Sequence, residues 1–175
     1  MPTKDEVLAA TRSWLEKDVI GLNLCPFAAA VHASGQIRYV VSGATTTRQL
    51  RADLLDELLF LKEADPAKID TTLLIHPDVL TDFLEFNDFL DVADDLLKDL
   101  GLVGDLQIAS FHPQFQFEET EPDDVGNRTN QSPYPTLHLL RESSVTRALE
   151  SYPDDPSEIS RKNIEKMRRM GPPPA

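Results

Sequence analysis

The chain has 175 residues, of which 41% are hydrophobic and 27% charged, proportions that suit a single folded domain and argue against global disorder. Its formal net charge of -13 opposes a nucleic-acid-binding role, because such binding depends on Lys and Arg side chains that neutralise phosphates. The sequence shows no signal peptide or membrane span, and a single cysteine is typical of a reducing compartment. We therefore expect one cytoplasmic domain over residues 1–175, with a flexible tail from about residue 171 and no nucleic-acid or membrane partner.

Two helices are predicted before the first strand. Thr3 and Glu6 have the spacing of a capping box, so the first helix should begin at Thr3 and end near Gly21. A proline is well tolerated in the first turn of a helix, and Pro26 therefore favours a second, short helix. Cys25 would then lie at or near the N-terminus of that helix.

Three short runs rich in apolar and β-branched residues predict strands at Ile37–Val41, Thr71–Ile75 and Leu106–Phe111. Long helical patterns separate them, the first ending near Glu63 and the second opening at Pro77. This order favours parallel pairing through right-handed crossovers. We therefore predict an α/β fold with one mainly parallel sheet of three to four strands flanked by helices.

The rest of the chain departs from this alternation. A polar loop follows the third strand over residues 113–135, and a loop of that length in a compact domain is usually functional or mobile. A fourth strand of undetermined direction is predicted at Thr136–Arg141, and Ser143 or Ser144 can cap a short helix after it. A C-terminal helix completes the predicted pattern.

Two of the predicted strands end in the same dipeptide, at His76-Pro77 and His112-Pro113. If the strands are parallel, both imidazoles emerge at one edge of the sheet, where open α/β sheets bind their ligands. Imidazole at such an edge could bind a metal or transfer protons near neutral pH. The alternative is structural, with each ring capping the turn that follows it through hydrogen bonds to the backbone.

Cys25 and His138 are further candidates for this chemistry. Near a helix N-terminus the thiol of Cys25 would be favoured as a reactive thiolate, although a free cysteine often serves as a small buried apolar residue. If the fourth strand borders those ending at His76 and His112, the three histidines and Cys25 could supply a ligand set typical of zinc or iron. Their spacing matches no standard metal motif, and a core position is the simpler account of His138.

Four segments resemble a bacterial family known as domain of unknown function 1415. They are Gly21–Phe27, Leu74–Pro77, Ala109–Phe117 and Ser132–Glu142. The resemblance covers nearly the whole chain and implies a single-domain protein, without implying an activity. The family pattern Asn-Arg-Ser-Pro-Tyr-Pro corresponds here to residues 130–135, where Gln131 stands in place of the arginine.

The polar loop and the fourth strand supply candidate substrate-binding residues. Asn130 and Tyr134 lie in a stretch of hydrogen-bonding side chains stiffened by prolines, which suits contact with a ligand. Arg141 could hold a carboxylate or phosphate through two hydrogen bonds, and Glu142 adjoins it within the segment that resembles the family. The alternative is a surface loop whose polar groups satisfy one another.

Three functions are compatible with these residues. The preferred one is a small-molecule enzyme with Cys25, His76 and His112 at the strand ends, with or without zinc or iron, and with the polar loop closing over the site. The second is metal-free catalysis by Cys25 as nucleophile with histidine as base. The third is a non-enzymatic binding or adaptor protein, in which these three residues lie apart.

Overall fold

A computed structural model describes residues 1–171; residues 172–175, which include most of the predicted tail, lie outside the described part. The strands are β1 (Ile37–Val41), β2 (Thr71–Ile75), β3 (Leu106–Phe111) and β4 (Thr136–Arg141), as predicted. They form one four-stranded sheet in the order β1-β2-β4-β3.

Six α-helices and three other helical turns surround the sheet within residues 1–171. The α-helices are α1 (Lys4–Trp14), α2 (Ala28–Ala33), α3 (Thr47–Glu63), α4 (Phe83–Asp99), α5 (Glu142–Ser151) and α6 (Ile159–Met170). A π-helical turn (Leu15–Ile20) extends α1, and 3-10 turns lie at Val125–Asn130 and Pro156–Glu158. No helix of this described part is both long and apolar enough to cross a membrane.

The strand directions correct the predicted sheet. β1 and β2 pair in parallel, whereas β4 is antiparallel to both of its neighbours, β2 and β3. The prediction of a mainly parallel sheet is therefore wrong, because the loop over residues 113–135 returns the chain to the edge that it has just left, without a crossover helix. β1, β2 and β3 still point the same way, so their carboxyl ends share one edge, and β4 begins there.

Helices cover both faces of the sheet. On one face, α3 and α4 enclose the larger core, in which Leu54, Leu74 and Phe86 are completely buried. On the other face, α1 and the π turn bury the smaller α1 core, which is built on Trp14, Leu15 and Val19. Alternate residues of each strand serve these two cores, as the two-residue period of a strand requires.

Helix starts follow the capping residues. The Thr3 hydroxyl and the Glu6 carboxylate each accept from the backbone N–H of the other residue, which confirms the predicted capping box. α4 begins at Phe83 rather than at the predicted Pro77, because the Asp82 carboxylate caps it. A turn therefore separates β2 from α4.

Two shorter helices also differ from their predicted starts. α2 begins at Ala28, two residues beyond Pro26, so Cys25 lies in the preceding turn. α5 begins at Glu142 directly after β4, and neither of the predicted serine caps is used.

Candidate functional site

Each of the three co-directional strands is followed by a buried polar residue at the carboxyl edge. Ser42 follows β1, His76 follows β2 and His112 follows β3, with exposures of 4%, 0% and 0%. The two imidazoles contact Phe86 of α4, and Ser42 bonds Asp53 of α3. The structure therefore brings His76 and His112 to one edge, on the side covered by α3 and α4.

His76 has one ring nitrogen bonded and the other free. Its Nδ1 lies 2.9 Å from the carbonyl oxygen of Val79, and since a carbonyl can only accept, Nδ1 carries the proton. Burial lowers the pKa of His76 to about 4, so the ring is uncharged at neutral pH. Its Nε2 is then a bare acceptor, and it finds no hydrogen-bond partner among residues 1–171. A buried acceptor left unpaired is uncommon in native proteins.

His112 is fully hydrogen-bonded. Its Nε2 donates to the carbonyl oxygen of Leu80 at 3.0 Å, and its Nδ1 accepts from the backbone N–H of Gln114 at 3.0 Å. Burial lowers the pKa of His112 as well. Both nitrogens of this ring are therefore occupied by the backbone in its neutral form.

The two histidines hold the same turn between β2 and α4. His76 bonds the carbonyl of Val79 and His112 bonds that of Leu80, the next residue. Leu80 has φ of 58°, in the left-handed region that a leucine rarely adopts, so the turn is a strained one that its surroundings must maintain. Phe86 supports both rings, at centroid distances of 5.5 and 5.0 Å. Hydrogen bonds to backbone groups thus occupy three of the four ring nitrogens of His76 and His112.

Ser42 is a residue at this edge that sequence reasoning missed. Its Oγ donates to the Asp53 carboxylate at 2.5 Å and accepts from the N–H of Ala44 at 3.0 Å. The strand-end rule that points to His76 applies equally to Ser42, which lies beside it on the neighbouring strand. Applying the strand-end rule to β1 would therefore have identified Ser42 from the sequence.

Cys25 and His138 lie on the opposite face of the sheet. Cys25 is half-buried against the α1 core. His138 donates from Nε2 to the hydroxyl of Thr71 at 2.8 Å, because that hydroxyl gives its own proton to a strand carbonyl. Burial lowers the pKa of His138 to about 4. The ring also contacts Phe111, which belongs to the same core, at a centroid distance of 6.1 Å.

The four candidate metal ligands do not form one set. His76 and His112 lie on the α4 side of the sheet, whereas Cys25 and His138 lie on the α1 side. Across residues 1–171, no three His, Cys, Asp or Glu side chains are grouped so that they could hold a metal ion.

The candidate substrate-binding residues divide between the two edges of the sheet. Asn130 and Tyr134 stay at the carboxyl edge, just before β4, but Arg141 and Glu142 lie at the far end of that strand, about 17 Å away. The Arg141 guanidinium donates to two backbone carbonyls of the α3–β2 connection at 2.9 and 3.1 Å. The antiparallel direction of β4 thus prevents these four residues from sharing one small ligand.

Asn127 organises the polar loop. This completely buried residue accepts from the N–H of Phe117 at 2.9 Å and donates to the carbonyl of Glu121 at 3.0 Å. Further along, the Gln131 amide donates to the carbonyl of Phe115 at 3.2 Å. The loop is therefore folded on itself rather than extended as a flap.

A groove of about 490 Å³ opens at the carboxyl edge, on the α1 side of the sheet. One wall is α1 with its π turn, and the other is Pro113 with residues 131–133 of the polar loop. This edge groove is lined by Ala10, Ser13, Trp14, Lys17, Asp18, Pro113, Gln131, Ser132 and Pro133. None of the histidines is among them, so the edge carries two separate features, the groove and the histidine-held turn.

Comparison with known proteins supports the resemblance noted from the sequence. No curated protein and no solved structure matches the chain. A family model described as a protein of unknown function, DUF1415, matches residues 6–173, which is nearly the full length. The chain therefore belongs to the DUF1415 family.

Proposed function

We propose that the protein binds a small polar molecule in the edge groove. The observation that carries this proposal is the position of the groove. Its volume of about 490 Å³ is within the range of roughly 300–1,000 Å³ that is usual for small-molecule sites. It also lies at the strand-end edge, where α/β folds bind their ligands.

The lining of the groove favours a polar ligand of metabolite size. Trp14 and three smaller apolar residues line it together with Ser13, Gln131 and Ser132. The Gln131 and Ser132 side chains donate within the loop, so their oxygen atoms are offered to a ligand as hydrogen-bond acceptors. Lys17 and Asp18 carry opposite charges, a pairing that suits a ligand with both an acidic and a basic group. The net charge of -13 works against a ligand with several negative charges.

The backbone of the α1 wall also supports a binding role. The π turn (Leu15–Ile20) carries Lys17 and Asp18, and turns of this kind occur frequently at functional sites. Gly21 ends it, and a Cβ there would lie 2.3 Å from the carbonyl oxygen of Lys17. The turn therefore depends on a glycine at this position.

Trp14 provides a direct assay, because it is the single tryptophan of the chain and lines the groove. A library of polar metabolites would be screened by thermal shift, and each hit titrated against intrinsic tryptophan fluorescence. We expect at least one compound to raise the melting temperature and to change the fluorescence with a saturable dependence.

Two groove variants test whether such binding occurs in the proposed place. Lys17→Ala and Ser13→Ala should each weaken it about tenfold, the loss expected for a hydrogen bond to a charged group. Lys62→Ala is the matched control, since Lys62 is an exposed lysine in the last turn of α3, on the other face of the sheet. The proposal would be refuted if neither groove variant changed the affinity, or if no compound bound saturably.

Catalysis by His76 at the same edge has less support than binding. Its Nε2 has no hydrogen-bond partner among residues 1–171, but the ring is completely buried on the α4 side and does not line the edge groove. A pKa lowered to about 4 also makes this imidazole a weak base at neutral pH. Ligands confirmed by fluorescence would be incubated with the protein and followed by NMR for conversion. Conversion that is lost in His76→Asn would support a role as base, and equal conversion would exclude it.

Thiol catalysis by Cys25 has weaker support. Its two proposed partners, His76 and His112, contact Phe86 on the other face of the sheet. His138 lies on the same face as Cys25, but its Nε2 is engaged with Thr71. A Cys25 thiol that iodoacetamide modifies at neutral pH no faster than free cysteine would count against this mechanism.

A further inference from the structure

The C-terminal helix α6 bonds to the short segment that contains Cys25. The Asn163 amide donates to the carbonyl of Leu24 at 2.5 Å, and the Lys166 ammonium donates to that of Leu22. At the end of α5, the Tyr152 ring meets the Phe27 ring edge-on, at a centroid distance of 5.8 Å. These three contacts lie on both sides of Cys25 in the sequence.

The same helix packs against the polar loop. Met167 of α6 is 1% exposed, and Ile164 lies so close to Gly126 that a Cβ added to the glycine would be 2.9 Å from its Cγ2. Arg168 pairs with the Asp124 carboxylate at 3.3 Å. Thus α6 joins two parts of the chain, the Cys25 segment and the polar loop, that are about a hundred residues apart.

Charge also draws α6 to the loop. The helix is basic in an acidic protein: its charged residues are Arg161, Lys162, Glu165, Lys166, Arg168 and Arg169. The loop carries Glu118, Glu119, Glu121, Asp123 and Asp124 in one short run, and one ion pair, Arg168 with Asp124, joins the two segments. Arg161 and Lys162 pair instead with acidic residues outside the loop. An exposed ion pair contributes little, so the ionic part of the attachment is small and is screened by salt.

We propose that α6 is a strap that opens as a unit, releasing the Cys25 segment and the polar loop together. Met167 is its single fully buried side chain, so its attachment is weaker than that of the strands and the other long helices. Ionic attraction to the loop then helps to keep the strap closed. Because the same loop forms one wall of the edge groove, opening of the strap would also loosen that wall. An effect on ligand binding rests on the proposed function.

Cys25 is half-buried in the segment that α6 holds, so its alkylation in the full-length chain should be faster when the strap opens. Gly126→Val inserts a side chain against Ile164 and should force the strap open more often. Gly43→Val is the matched control, because a Cβ at Gly43 meets nothing within 4 Å and its backbone is not left-handed. Alkylation of Cys25 by iodoacetamide would be followed by mass spectrometry, with hydrogen exchange measured in parallel for α6 and β2.

Alkylation of the Gly126→Val variant should be about tenfold faster than in the natural chain, equivalent to about 1.4 kcal/mol in opening free energy. Exchange in α6 should accelerate while β2 stays protected, which distinguishes strap opening from general unfolding. The proposal would be overturned if Cys25 were alkylated at the same rate in the two glycine variants. It would also be overturned if, in the natural chain, the amides of α6 were as protected from exchange as those of β2. These outcomes are independent of whether the edge groove binds a ligand.

Salt tests the ionic part of the proposal. At about 1 M salt the screening length falls to roughly 3 Å, so attraction between α6 and the acidic loop is largely lost. Alkylation of the natural chain should then be about threefold faster than at low salt, relative to a cysteine peptide under the same conditions. Iodoacetamide is uncharged, so salt does not alter its approach. A rate that does not respond to salt would overturn the ionic contribution.

Discussion

Acidification should destabilise this protein through its buried histidines, and His76 allows the effect to be calculated. Burial holds the pKa of His76 at about 4 in the folded chain, against 6.5 for an exposed histidine. The unfolded state therefore binds more protons between these two values. Stability is fully present above pH 6.5 and is lost as the pH falls toward 4.

The size of the effect follows from the two pKa values. Between about pH 7.5 and pH 5, His76 alone should remove about 2 kcal/mol from the free energy of unfolding. Urea titrations at these two pH values, followed by circular dichroism, measure the difference. His76→Asn lacks the titrating ring, so the loss of stability on acidification should be about 2 kcal/mol smaller in this variant.

A core variant separates this effect from simple loss of packing. Ile75→Val removes one methylene group from the completely buried residue next to His76 and should lower the free energy of unfolding by about 1 kcal/mol at both pH values. If the natural chain and His76→Asn lose the same stability on acidification, His76 is charged in the folded state and the reasoning fails.

Three other substitutions test structural roles assigned above. Arg141→Met should reduce the free energy of unfolding by about 2 kcal/mol in urea titrations, since two carbonyls lose a charged donor. The control Arg147→Met, on the exposed face of α5, should change it by less than about 0.5 kcal/mol. Asn127→Ala should remove the bonds of this side chain to Phe117, Thr120 and Glu121 and accelerate hydrogen exchange over residues 113–135; unchanged exchange would show that the loop is held elsewhere. Gly21→Ala should lower the free energy of unfolding by about 1–3 kcal/mol, because its Cβ would overlap the carbonyl oxygen of Lys17, and a neutral result would mean that the π turn can relax.

Local signals in the sequence were sufficient for the strands and for the start of α1. The capping box at Thr3 involves residues three apart, and each of the four strands is an apolar or β-branched run, so neighbours along the chain specify them. The strand-end rule also located His76 and His112 at one edge. It holds because β2 and β3 point the same way, even though the antiparallel β4 lies between them.

The start of α4 shows where local signals compete. Pro77 is a plausible first residue for a helix, but Asp82 provides the cap that is used. The intervening turn is stabilised by His76 and by His112, which is 36 residues further along the chain. A bond between residues so far apart leaves no local pattern, so the turn could not be predicted from its own sequence.

The sequence by itself determined the α/β class, the four strands and the edge at which two histidines end their strands, since each depends on short-range pattern. The tertiary structure decided the direction of β4, and with it the separation of Arg141 from Asn130. It also placed Cys25 on the face opposite His76, because α1 and the turn after it cover that face. The spacing of side chains along a sequence does not show on which face of the sheet a connecting segment packs. Long-range packing decides that face.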